Sequence, residues 1–67
     1  MQKLIELMTS LNQKRDVFYQ ITKDRENNFT ISVWKLGYQT AWYAVNPDIE
    51  QAVNELMPKL IQDKVIS

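Results

Sequence analysis

The apolar residues of this chain change period twice, and that change limits its fold more than any other feature. Near the start, Leu4, Leu7, Met8 and Leu11 recur at three- and four-residue spacing, with Ile5 on the flank and Lys3, Glu6 and Ser10 opposite. That spacing predicts an amphipathic helix over about residues 2–12. From Phe29 to Lys35 the period is two: Phe29, Ile31 and Val33 on one side, Thr30, Ser32 and Trp34 on the other. This is the pattern of a strand with one buried face. From Ile49 the helical spacing returns, in a stripe of Ile49, Ala52, Val53, Leu56 and Leu60 that continues through Ile61.

Two further strands flank the alternating one. Val17 to Thr22 is rich in β-branched and aromatic residues, and the polar run Asp24-Arg25-Glu26-Asn27-Asn28 after it reads as a turn. Gln39 to Val45 supplies the third strand. Both connections are short, so consecutive strands should pair antiparallel as a meander. At the start of the last helix, Asn46 suits the N-cap and Pro47 the first helical position, where its missing N–H costs nothing. Asp48 and Glu50 complement the helix dipole. Pro58 falls on the solvent side of the wheel, where a bent helix is expected rather than a stop. The fold class is α+β in the order α-β-β-β-α, one small domain over residues 1–67.

The face that the third strand presents depends on the turn around the chain's one glycine, Gly37. A three-residue Lys35-Leu36-Gly37 loop puts Ala41, Tyr43 and Val45 in the core and Trp42 on the same side as Trp34 and Phe18. A two-residue Gly37-Tyr38 turn reverses this, because a one-residue slip exchanges the faces. The first is preferred, since it unites Val17, Tyr19, Ile21, Phe29, Ile31, Val33, Ala41, Tyr43 and Val45 on one apolar face. With both helices on that face, the other carries Phe18, Gln20, Thr22, Thr30, Ser32, Trp34, Thr40 and Trp42. One helix on each face is the alternative packing. Large aromatics among hydroxyls on an open sheet mark a binding surface. The candidate partner-binding residues are therefore Phe18, Trp34, Trp42, Thr30, Ser32 and Thr40.

Enzyme chemistry has little to work with. There is no Cys and no His among the 67 residues, which excludes disulfides, zinc fingers, Cys nucleophiles and His acid–base catalysis. Without histidine, Ser10, Ser32 and Ser67 have no partner to activate them. The carboxylate pairs Asp24/Glu26 and Asp48/Glu50 sit in a turn and at a helix start, where local roles account for them. One glycine cannot build a phosphate loop. No catalytic residue, metal or cofactor is expected.

Eight basic residues balance eight acidic ones, so the chain lacks the electrostatic footprint of a strong nucleic-acid binder. Six of the basic residues and four of the acidic ones lie before residue 40. Lys14, Arg15, Lys23 and Arg25, beside Phe18 and Trp34, are the candidate contacts for a weak nucleic-acid-binding role, which is the alternative function. No run approaches the ~20 apolar residues of a membrane span. Glu6 interrupts the apolar N-terminus, which excludes a signal peptide there. The chain reads as a complete, stand-alone, cytoplasmic product.

The element order is similar to that of the double-stranded-RNA-binding fold and of small toxins that share it. The resemblance is one of order alone. Asn46-Pro47-Asp48-Ile49-Glu50-Gln51 stands where that family carries its basic cluster, and the toxins' essential histidine has no counterpart. Neither function is implied. Small size without a motif looks like the accessory products of phages and other mobile elements, including inhibitors of host defence. The expected function is thus a non-enzymatic protein–protein interaction module. Self-association as a symmetric homodimer is expected, through the uncharged third strand or by stacking of aromatic faces.

Overall fold

A computed structural model describes residues 2–66. Helix α1 spans Gln2–Asn12, strands β1, β2 and β3 span Val17–Lys23, Phe29–Lys35 and Trp42–Asn46, and helix α2 spans Ile49–Gln62. The strands form one antiparallel meander with β2 in the centre. Both helices pack on the same side of it. Leu4, Leu7 and Leu11 of α1 join Val17, Ile31, Val33 and Ala44 of the sheet, and Ala52, Val53, Leu56 and Leu60 of α2, in a single buried cluster. Among the described residues no polar side chain is buried, so the core carries no unmet hydrogen-bonding cost. Among the described residues no helix is long and apolar enough to cross a membrane.

The first hairpin closes on Asp24. Its Oδ1 accepts hydrogen bonds from the Glu26 and Asn28 amides, each at 2.9 Å. Asn27 takes a positive φ of 65°, a conformation Asn tolerates better than most residues. The polar run thus builds its own turn, and β1 and β2 pair in full from Val17↔Lys35 to Lys23↔Phe29.

The second connection departs from the preferred reading. The Tyr38 amide donates to the Lys35 carbonyl at 3.1 Å, and Gly37 sits third in this turn at φ 88°, as a type II turn requires. Residues 38–41 then run outside the strand. Pairing resumes at Val33↔Trp42, followed by Ile31↔Ala44 and Phe29↔Asn46. Trp42 and Ala44 therefore face the helices, while Tyr43 and Val45 point away, 60% and 47% exposed. The expectation that Ala41, Tyr43 and Val45 enter the core is wrong: Ala41 and Thr40 lie in the exposed connection. The parity is that of the two-residue alternative, although the turn itself is different. Packing rationalises the outcome. Ala44 is small enough to let α2 lie close over β3, and the Trp42 indole Nε1 donates to Asp63 Oδ2 at 2.5 Å, just beyond α2.

The start of α2 is two residues later than its sequence suggests. Asn46 stays in the ladder opposite Phe29, and its Oδ1 accepts from the Asp48 amide at 2.9 Å. Asp48 is the N-cap, accepting from the Glu50 amide at 3.0 Å. Both residues are good caps, and strand pairing decides between them. α2 continues through Pro58 to Gln62, but Ile61 is exposed rather than part of the buried stripe. The chain then folds back. Lys64 takes φ 60°, its amide donates to the Ile61 carbonyl and the Val65 amide to the Leu60 carbonyl. That is the Schellman arrangement, and it delivers Val65 and Ile66 into the core.

Candidate interaction surface

The face of the sheet opposite the helices is built in three cross-strand rows. Phe18 lies opposite Trp34, Gln20 opposite Ser32 and then Tyr43, and Thr22 opposite Thr30 and then Val45. The alternation that sends Ile31 and Val33 inward necessarily sends Thr30, Ser32 and Trp34 outward. Among the described residues neither helix packs over these rows. Phe18 and Trp34 are 41% and 38% exposed, with ring centroids 6.1 Å apart and planes 20° from parallel. This stacked pair covers part of each ring and leaves the outer surfaces free. Thr30 and Ser32, on the central strand, are half-buried between their neighbours.

Four of the six residues anticipated for this surface belong to it: Phe18, Trp34, Thr30 and Ser32. Trp42 does not. It lies on the helix side, half-buried, with Tyr38 tilted against it at 5.8 Å between centroids and its indole nitrogen engaged by Asp63. Thr40 precedes β3 and is on no face of the sheet. In their place the structure supplies Tyr43 and Val45. The reason is the length of the unpaired connection after Gly37, which moves the strand by three residues relative to the preferred register, an odd number that exchanges its faces.

A cation from the helix layer reaches the surface. Lys59 of α2 donates from Nζ to the Tyr43 carbonyl at 3.2 Å and sits 5.9 Å from the centroid of the Tyr43 ring. The four basic residues named for nucleic acid do not converge. Lys14 and Arg15 precede β1, whereas Lys23 and Arg25 follow from its far end. At ~3.3 Å per residue the strand holds the two pairs about 20 Å apart. Lys23 lies over the Phe29 ring, 5.2 Å from its centroid, on the helix side of the sheet.

Several carboxylates have structural roles. Asp24 holds the first turn, Asp48 caps α2, and Glu50 Oε2 accepts from the Leu4 amide at 3.2 Å, tying the two helices together. Among the described residues no three acidic, Cys or His side chains come close enough to hold a metal ion. The chain matches no protein-family model, and no curated protein or solved structure matches it significantly.

Proposed function

We propose that this chain is a non-enzymatic protein-interaction module whose working surface is the open face of the sheet. The observation that carries the reading is the set of apolar side chains left on that face: the stacked Phe18–Trp34 pair, Tyr43 and Val45. Aromatic rings of this size contribute most of the energy of protein interfaces when buried. A small domain gains no folding stability by displaying them. The rows between, Gln20 with Ser32 and Thr22 with Thr30, offer hydrogen-bonding groups without net charge. The split of Lys14 and Arg15 from Lys23 and Arg25 leaves no continuous basic track beside the rings, which speaks against a single-stranded nucleic-acid groove.

The test uses Trp34→Lys, a change at an exposed position. A partner captured from the native host should be lost with Trp34→Lys and retained with a substitution in the polar turn, such as Arg25→Ala. Binding should vary little between low and moderate salt. Capture that survives Trp34→Lys contradicts the reading. Affinity for an oligonucleotide that falls steeply with salt would replace it with phosphate recognition.

A further inference from the structure

We infer that the chain pairs with a second copy of itself through β1, antiparallel about Gln20, to form a continuous six-stranded sheet. It goes beyond the open-face reading above, because the contact is made by the β1 edge and not by the exposed rings. The starting point is a difference between the two sheet edges. The Asp16 carbonyl accepts from the Leu36 amide and the Asp24 amide donates to the Asn28 carbonyl, so the even-numbered residues of β1 turn their backbone groups toward β2. Val17, Tyr19, Ile21 and Lys23 turn theirs outward. Among the described residues nothing bonds to those groups, and β1 contains no proline and no bulge. The β3 edge is shorter, and Lys59 occupies its Tyr43 carbonyl. A lysine laid across an edge is a common guard against strand addition. Pairing through third strands, anticipated because β3 is uncharged, is obstructed there.

The occupant follows from charge and register. β1 reads Val17-Phe18-Tyr19-Gln20-Ile21-Thr22-Lys23, with its single charge at one end. Paired antiparallel about Gln20, all seven residues find partners: Lys23 meets Val17 of the second copy, Thr22 meets Phe18 and Ile21 meets Tyr19. No like charges meet within the paired strands, although just outside them this register sets Asp16 against Asp24 and Arg15 against Arg25. A shift of two residues in either direction leaves only part of the strand paired. The whole chain has zero net charge, so two copies approach without long-range repulsion.

The helix layer supplies a second, independent observation. Lys3 Nζ donates to Asn54 Oδ1 of α2, which marks the α2 side of α1. Ile5 lies about 200° around the helix from Lys3, on the side where Asn12 Oδ1 accepts from the Tyr19 hydroxyl of β1. Ile5 is 61% exposed. It therefore flanks the β1 edge, where a second copy would place its own Ile5 nearby. The two-fold axis runs perpendicular to the sheet, so both helix layers lie on one side and the two open faces join on the other.

The chain's lack of cysteine makes the test direct. In this register the two Gln20 residues form a non-hydrogen-bonded pair, with Cα atoms ~4.5 Å apart, within disulfide range. Wild type at tens of micromolar should sediment at twice 7.9 kDa. Gln20→Cys should cross-link on mild oxidation, and Ser32→Cys, on the central strand, should not. Ile5→Glu should weaken dimerisation at least about tenfold. A wild type that stays monomeric overturns the inference, as does Ile5→Glu without effect. Cross-linking through Ser32→Cys but not Gln20→Cys also overturns it, because the open faces would then stack. None of these outcomes touches the proposed function, which fails separately if capture survives Trp34→Lys.

Discussion

The two hairpins of this sheet are built from similar amounts of chain, yet they hold their strands in different ways. Between β1 and β2 the turn is closed from within: one carboxylate, Asp24, ties two amides, Asn27 takes the left-handed position, and pairing starts at once. Between β2 and β3 the turn is closed by one backbone bond at Gly37, and residues 38–41 then pass unpaired before Trp42 enters the ladder. A turn that closes from within sets the register of the strands it joins. A turn followed by slack hands that decision to packing. In β3 it falls to Ala44 beneath α2 and to the Trp42–Asp63 hydrogen bond. The side chains released by that choice, Tyr43 and Val45, complete the interaction surface.

The comparison can be tested by substitutions on either side of the sheet. The largest effect belongs to the packing that decides the β3 register. Leu56 is fully buried at the middle of α2, and Leu56→Ala should cost about 2–5 kcal/mol in urea unfolding. A loss below ~1 kcal/mol would mean that α2 packs by another stripe. Next come Trp42→Ala and Tyr43→Ala, adjacent residues on opposite faces. The first removes a half-buried ring and its bond to Asp63, for an expected loss of about 2 kcal/mol. The second should stay within ~0.5 kcal/mol. Equal losses would put the register in doubt. The smallest effect is a gain. Lys64 holds a left-handed conformation that glycine adopts freely, so Lys64→Gly should raise stability by about 1 kcal/mol. A loss would show that the Lys64 stem itself contributes to the fold.

These contrasts also mark where the sequence was legible. α1 and β2 follow from periods sustained over seven residues or more and β1 from its run of β-branched and aromatic residues, and each observed span lies within one residue of expectation. β3 was not legible because a single residue of loop length reverses every side chain, and neither Gly37 nor its neighbours reveal how much chain runs unpaired. For that reason the sequence places Phe18, Trp34, Thr30 and Ser32 on the open face, but puts Trp42 on the wrong side and Tyr43 and Val45 in the core. The α2 cap shifted from Asn46 to Asp48 because two suitable caps stand two residues apart. Val65 and Ile66 were missed for a different reason. The helix ends on a Schellman motif with lysine where glycine is the usual signal, so nothing in the local sequence announces that the chain turns back into the core.

Side-chain proton contacts within β3 test the account most directly, since the composition of the open face depends on that strand's register. The Tyr43 ring should show contacts to Ser32 and Gln20, its neighbours in the same row. The Trp42 ring should show contacts to Tyr38 and Val33, and none to Trp34 or Phe18. Trp42 contacts to the Phe18–Trp34 pair, with Tyr43 contacts to Val53 or Leu56 of α2, would contradict it.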